Sequence, residues 1–284
     1  MAPVGSVILN YVNFSDTIEC ADSILAQTLP DHPVVIVDNG SANDSYRTLV
    51  ARYENQPRVD VLRSDRNLGY ARGNNVGINH LRRNRACDMV FVVNNDVVVQ
   101  EGLFERIASM DIGNTAVISP RVLRTDGSDQ RPSVQTDNLV RTVLYYYKLL
   151  AGVVVRSFLK PNSPDEGASP LPYERPDRYM KHVVQGCAFF LTPVFFRHYS
   201  QLFPKTFLYW EELNLLWYLK KANIDSVVDD TVSVVHKEKQ ATNRLMESGQ
   251  RAKMRLRFSV DSMLASTPLY FSSYRRIVRK YSQG

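Results

Sequence analysis

A chain of 284 residues with 44% hydrophobic and 23% charged content is long enough for one large α/β domain with an appendage, and is neither disordered nor fibrous in composition. Its three cysteines, Cys20, Cys87 and Cys187, lie far apart with no CxxC spacing. That excludes a disulfide framework or a cysteine-built zinc site and fits a reducing compartment. The net charge of +6 is uneven: residues 237–284 hold 11 basic and 3 acidic residues, a balance of +8, which leaves the first 236 at −2. Basicity confined to a tail points to an anionic surface as its partner rather than to nucleic acid.

The first residues, MAPVGSVILNYVN, have no basic n-region and only a short apolar run, so no cleaved signal peptide is expected and the chain reads as cytoplasmic. Residues 7–9 read as a strand. Asp16 stands three residues before Glu19, as an N-cap and N3 pair would, and Ile18, Ala21, Ile24 and Leu25 then make a helical apolar face. Further strands are predicted at 34–37, 59–62 and 89–93, with helices at 46–53, 70–81 and 103–108 between and after them. The alternation predicts a mostly parallel sheet flanked by helices, with right-handed crossovers. Residues 139–159 are apolar but broken by Arg141, Lys148 and Arg156, which predicts an amphipathic helix rather than a membrane span. Residues 160–178 carry five prolines and one glycine and read as a mobile loop. Strands follow at 183–184 and 188–191, a helix at 212–221, and strands at 226–228 and 232–235. The tail, 237–284, is basic and helical in pattern.

Polar residues follow three of the strands: Asn10-Tyr11, then Asp38-Asn39-Gly40-Ser41, then Asn94-Asn95-Asp96. In an open α/β sheet the carboxyl ends of the strands form the ligand crevice, so these clusters would share one edge. Each residue has two readings. Asp96 can hold a hard divalent cation or belong to an ordinary turn. Asp38 can bind a ribose or base edge or cap the next helix. Gly69, Gly73 and Gly77 form neither a GxGxxG nor a Walker pattern; they can let a helix pack closely or let amides approach a phosphate. Glu211 and Glu212 can complement a helix dipole, or one of them can be a general base. His236, at the end of an apolar strand, is a structural residue or a ligand. No serine sits in a GxSxG elbow.

Taken in order, the segments LNYVNFSDTIECADSILAQ, VVIVDNGSANDS, NLGYARGNNVGI, VFVVNNDVVV and FLYWEELNLLWYLKKANI resemble glycosyltransferase family 2, in its rhamnosyltransferase-like branch, over roughly residues 6–236. The resemblance implies a GT-A fold with a catalytic domain over 1–236, its nucleotide-sugar half at 1–120 and its acceptor half at 121–236. It implies a nucleotide-diphosphate sugar donor, dTDP- or UDP-linked and including dTDP-rhamnose, and a Mg or Mn ion. By the same mapping Asn10, Tyr11, Asp38, Asn67, Gly73, Asn74 and Asn95 contact the donor. Asp96 and His236 serve the metal and diphosphate, Glu212 is the base, and Gly186, Trp210 and Glu211 face the acceptor. The implied activity is inverting transfer to a saccharide or lipid-linked saccharide in cell-surface polysaccharide or O-antigen synthesis.

The sequence departs from the family at Val12, where asparagine is usual, at the Glu-Glu pair in place of Glu-Asp, at Asn214 for aspartate and at Tyr218 for arginine. Two rival readings are a nucleotide-sugar-binding protein without transfer activity and a Rossmann oxidoreductase, the latter lacking its glycine fingerprint. For the tail, Lys253, Arg255, Arg257, Arg275, Arg276, Arg279 and Lys280 interleave with Phe258, Met263, Leu264, Tyr270, Phe271 and Ile277. Such a pattern either lies on an anionic membrane, making the chain peripheral at its inner face, or packs on the domain or in a homodimer.

Overall fold

The computed structural model describes residues 3–28, 31–130, 134–135, part of 140–152, 183–237 and 248–281. The loop expected at 160–178 lies outside the described residues, as does the end of the helix expected at 139–159; the described residues between 140 and 152 are helical. An eight-stranded sheet runs in the order β3 (Val59–Arg63), β2 (Val34–Asp38), β1 (Val4–Asn10), β4 (Met89–Asn94), β9 (Ala188–Leu191), β6 (Thr115–Leu123), β10 (Asp225–His236) and β5 (Val97–Val99). A two-stranded ribbon, β7 (Val134–Gln135) with β8 (Val183–Val184), stands beside it.

Strands β3, β2, β1 and β4 are parallel, whereas β9 runs antiparallel to both β4 and β6, and β5 antiparallel to β10. The expected parallel sheet is therefore found in the first half and becomes mixed in the second. Helices α1 (Phe14–Leu25), α2 (Ser45–Tyr53), α3 (Tyr70–Asn84) and α4 (Leu103–Ala108) follow the strands as the alternation predicted. Both sheet faces are covered. Val7, Val35, Val37, Val90 and Val92 point into one core, and Ile8, Ile36, Phe91 and Val93 into the other. This is why these strands read as unbroken apolar runs.

Helix α3 lies close on the sheet because of its glycines. A Cβ at Gly77 would overlap the Val7 side chain, and one at Gly73 would come within 2.6 Å of Leu9 Cδ1. The packing reading of the glycine series is the one the geometry bears out.

The expected capping pair does not form. The N-cap of α1 is Asn13, and Asp16 sits in the first turn. Asp16 and Glu19 instead receive Lys237, which approaches Asp16 at 3.1 Å and also pairs with Glu19. The two strands expected at 226–228 and 232–235 are one strand, β10, whose register against β6 shifts between Asp229 and Ser233.

After α5 (Pro193–His198) and α6 (Glu211–Ala222), the tail folds back as α7 (Ser248–Phe271) and α8 (Tyr274–Tyr281). Leu269, Tyr270, Ile277 and Tyr281 are buried against the domain. Tyr270 packs on Trp217 with ring centroids 4.6 Å apart, and Tyr281 on Phe203 at 5.1 Å. The packing alternative accounts for Tyr270 and Ile277, while Leu264 and Phe271 stay exposed. Among the described residues no helix is long and apolar enough to cross a membrane.

Candidate active site

The carboxyl ends of β1, β2 and β4 do meet, through one chain of buried hydrogen bonds. Asn10 Nδ2 donates to Asp38 Oδ2 at 2.8 Å, and Asp38 Oδ1 accepts from the Ser41 amide at 3.1 Å. The Thr17 hydroxyl lies 2.8 Å from Asn10 Oδ1 and accepts from Asn95 Nδ2 at 3.1 Å. Three strand ends and helix α1 are thus tied together. Asn10 and Asp38 are wholly buried in this network. They form the floor of the crevice at these strand ends, and Tyr11, exposed at 38%, stands on its rim.

Thr17 was not legible as a functional residue, because its sequence neighbourhood is that of any amphipathic helix. Thr17→Val keeps the shape and removes the hydroxyl, leaving Asn10 Oδ1 and Asn95 Nδ2 each short of a partner. The expected loss is about 2 kcal/mol of stability. Chemical denaturation reads it directly; an unchanged midpoint would show that the network contributes nothing.

Val12 has φ of 53°, a left-handed conformation in which a β-branched side chain is crowded. Asparagine, which the family resemblance expects there, tolerates that conformation. Val12→Asn is therefore expected to stabilise the fold by about 1 kcal/mol and raise the melting midpoint by roughly 2 °C. A lower midpoint would contradict the strain argument. Asn67 accepts from Asn39 Nδ2 at 3.0 Å and from the Gly69 amide at 2.9 Å, so it shapes the loop that leads into α3. Asn74 is buried, donates to the Tyr70 carbonyl at 3.1 Å and leaves its Oδ1 without a partner. Its neighbour Asn75, which the sequence did not single out, clasps both backbone groups of Leu202 at 2.8 and 2.9 Å.

Asp96 follows β4 in a tight turn, and the returning strand β5 pairs with the end of β10. That pairing brings His236 Nε2 to 3.2 Å from Asp96 Oδ1, with both side chains largely buried. The other ring nitrogen, Nδ1, lies 2.8 Å from Gln130 Oε1. Burial acts to lower the His236 pKa, but its interactions with Asp96 and then with Cys187 outweigh it, and the pKa is raised to about 10. Among the described residues no cluster of three or more His, Cys, Asp or Glu side chains forms a self-contained metal site. One carboxylate oxygen and, once its proton is displaced, one imidazole nitrogen fit a divalent ion whose remaining ligands are phosphate oxygens.

On the other side of the crevice, Glu211 and Glu212 begin α6 after two consecutive left-handed residues, Tyr209 and Trp210, with φ of 72° and 71°. The turn is held from outside. The Tyr70 amide donates to the Phe207 carbonyl at 2.8 Å, Ser262 Oγ to the Leu208 carbonyl at 2.8 Å, and the Trp210 ring stands edge-on to Tyr147 at 5.7 Å. A backbone strained at this point aims the two carboxylates, as functional turns often do. The Glu212 carboxylate lies against Gly186, where no Cβ could be accommodated. The Gly186 carbonyl accepts from the Tyr70 hydroxyl at 2.9 Å. Glu211 lines a cleft with Tyr70, Gly186 and Asn214. Burial first, and the charge of Glu212 second, push the Glu211 pKa up to about 8.

Gly186 and Cys187 join the two halves. Gly186 carries Glu212 and Tyr70, while the Cys187 carbonyl accepts the Asn94 amide at 2.8 Å and its side chain helps to raise the His236 pKa. The sequence offered one hint, a glycine just before an apolar strand, and none for Cys187, Gln130 or Tyr70.

This arrangement can be set beside known proteins. The chain is 23% identical over 245 residues to the low-salt glycan biosynthesis hexosyltransferase Agl10 of Haloferax volcanii, covering 86% of this chain and 70% of that one. It is 29% identical over 108 residues to the glycosyltransferase GlyG of Streptococcus pneumoniae, covering 38% of this chain and 35% of that one. Among solved structures, GalNAc-T7 with UDP, GalNAc and Mn2+ superposes with a TM-score of 0.58 at 11% identity, over 99% of this chain and 57% of that one. S. aureus TarS 1-349 superposes with a TM-score of 0.54 at 13% identity, over 98% of this chain and 72% of that one. These superpositions carry the fold, which is the GT-A fold. The family model for glycosyl transferase family 2 matches residues 6–202, more than half of the chain, and the chain belongs to that family.

Proposed function

We propose that this glycosyltransferase moves one sugar from a nucleotide-diphosphate donor to a saccharide hydroxyl with inversion at the anomeric carbon. The observation that carries the reading is the Gly186-Cys187 junction, with the Asp96–His236 pair on one side and the Glu211–Glu212 pair on the other. A single displacement needs charge stabilisation at the leaving diphosphate and a base at the attacking hydroxyl, on opposite sides of the reacting carbon. Asp96 and His236 are the residues that would hold Mg or Mn. The ion, when bound, supplies positive charge to the diphosphate oxygens.

The rest falls to this chain's own groups. Glu212 takes the acceptor proton, Gly186 leaves room for its carboxylate, and the strained turn at 209–210 orients it. Tyr11 and the Asp38–Asn10–Thr17–Asn95 network frame the nucleoside side. UDP in complexes of GalNAc-T7 and of TarS supports a nucleoside-diphosphate donor, and Mn2+ with GalNAc-T7 supports the metal. The hexosyltransferase name of the Haloferax relative supports a hexose in glycan synthesis. A dTDP-sugar donor, a lipid-linked acceptor and peripheral contact with an anionic membrane belong to the same reading. The last rests on exposed Leu264 and Phe271 beside exposed Arg275, Arg276, Arg279 and Lys280.

The test is a panel of UDP-, dTDP- and GDP-sugars assayed for binding and slow hydrolysis with Mn2+ present. At least one member is expected to bind and to release nucleoside diphosphate. Binding without any release, with or without saccharides, would favour a nucleotide-sugar-binding protein instead.

A further inference from the structure

The cleft beside Glu212 contains polar atoms that nothing else in the described structure uses. Glu211 Oε1 is inaccessible and has no hydrogen-bond partner, and so is Asn214 Nδ2, three residues further along the same helix. Both residues line the same cleft, whose other walls are the side chains of Phe189, Leu202, Phe203 and Leu215. Residues three apart on a helix share a face. A carboxyl oxygen and an amide N–H are therefore presented on one helix face at the wall of a mostly apolar cleft, each lacking a bond that is costly to leave unmade.

The direction of the Asn214 amide is fixed from behind. The Tyr270 hydroxyl, on α7, donates to Asn214 Oδ1 at 3.1 Å, and the Tyr270 ring is wedged on Trp217. With its oxygen engaged there, Asn214 offers the cleft a donor.

We propose that Glu211 and Asn214 form a subsite for one hydroxyl group of a sugar, and that Tyr270 positions it. A sugar hydroxyl accepts from Asn214 Nδ2 and donates to Glu211 Oε1, which satisfies both orphaned atoms at once. The raised pKa of Glu211 keeps its carboxyl in the less costly neutral form until that bond is made. A site built in this way rejects a sugar that lacks the hydroxyl, because its own polar groups would stay unpaired. The subsite rests on the transferase reading and specifies it further: the recognised group is a hydroxyl, carried by either the donor sugar or the acceptor sugar.

Asn214→Ala and Tyr270→Phe test it, with nucleotide-sugar Kd and acceptor KM measured separately and thermal midpoints recorded. Asn214→Ala is expected to weaken one of the two constants about 10- to 100-fold and leave the other unchanged. Tyr270→Phe should weaken the same constant several-fold. A rise confined to Kd assigns the hydroxyl to the donor, and one confined to KM assigns it to the acceptor. Against Asn214→Ala, the matching deoxy-sugar should bind no worse than the parent sugar. If wild type binds and turns over sugar while both variants keep both constants and lose only thermal stability, the cleft holds a structural water and the subsite is overturned. A wild-type protein that binds no nucleotide sugar and no saccharide defeats the transferase reading itself, and the subsite with it.

Discussion

Glu212→Gln is expected to lower kcat by about 10²–10⁴ while the donor Kd stays within a few-fold of wild type. Glutamine keeps the size of the side chain and a hydrogen-bonding oxygen, so the contact with Gly186 survives and only proton abstraction is lost. Glu211→Gln should behave differently. Glu211 is half-buried with its Oε1 inaccessible and its pKa raised to about 8, and a neutral amide mimics its neutral form, so a loss of no more than about tenfold is expected. Steady-state kinetics of the two variants side by side decide between the carboxylates. A dead Glu211→Gln with an active Glu212→Gln would move the base by one residue.

Asp96→Ala is expected to reduce metal-dependent donor binding by about 100-fold or more and to abolish transfer, with the fold intact. Loss of groups that only support a metal ligand commonly costs 10- to 100-fold in affinity, so about 100-fold is a lower bound for the ligand itself. The fold should survive because Asp96 sits in the turn between β4 and β5 and, among the described residues, its side chain pairs with His236, itself still held by Gln130. Removing Asp96 also removes one of the two groups that raise the His236 pKa, the other being Cys187. Mn2+ titrations of nucleotide-sugar binding measure the effect. Full transfer by this variant, or by wild type in excess chelator, would take the metal out of the account.

Much of the first half could be read from sequence because its strands are buried on both faces and its helices on one. Runs such as residues 34–37 then appear as unbroken apolar stretches, and α1 and α3 as periodic ones. The reading weakened where structure depends on distant partners. VFVVNNDVVV looks like one strand and a tail. It is two strands, because the residues after the Asn95-Asp96 turn leave β4 and pair with the end of β10. Strand β6, with Ser119 and Pro120 in its middle, gave no clear period, and it joins the sheet through β9 and β10. Asp16 and Glu19 have the spacing of a cap, but Lys237 lies within reach once the sheet has formed, and an ion pair replaces it.

The candidate site divides in the same way. Asp96, His236, Gly186 and Glu212 could be named from motif order, and the structure brings them to one crevice. The residues that connect them, Thr17, Tyr70, Gln130 and Cys187, are ordinary by sequence and acquire a role only from the atoms that the fold places beside them. Asn10 bonds Asp38 directly and is joined to Asn95 through Thr17, a connection that no spacing conveys. The tail pattern suited a membrane face and a packing face equally; Tyr270 and Ile277 turned out to be committed to the domain.

The central claim is a single displacement in which Glu212 deprotonates the acceptor while the Asp96–His236 side of the crevice holds the diphosphate. The anomeric configuration of the product, read by proton NMR before mutarotation or on a non-mutarotating glycoside, tests it most directly. Starting from whichever nucleotide sugar the panel identifies, the account predicts a product of inverted configuration. A product that retains the donor's configuration would contradict it, since retention requires either a second displacement or attack from the leaving-group face.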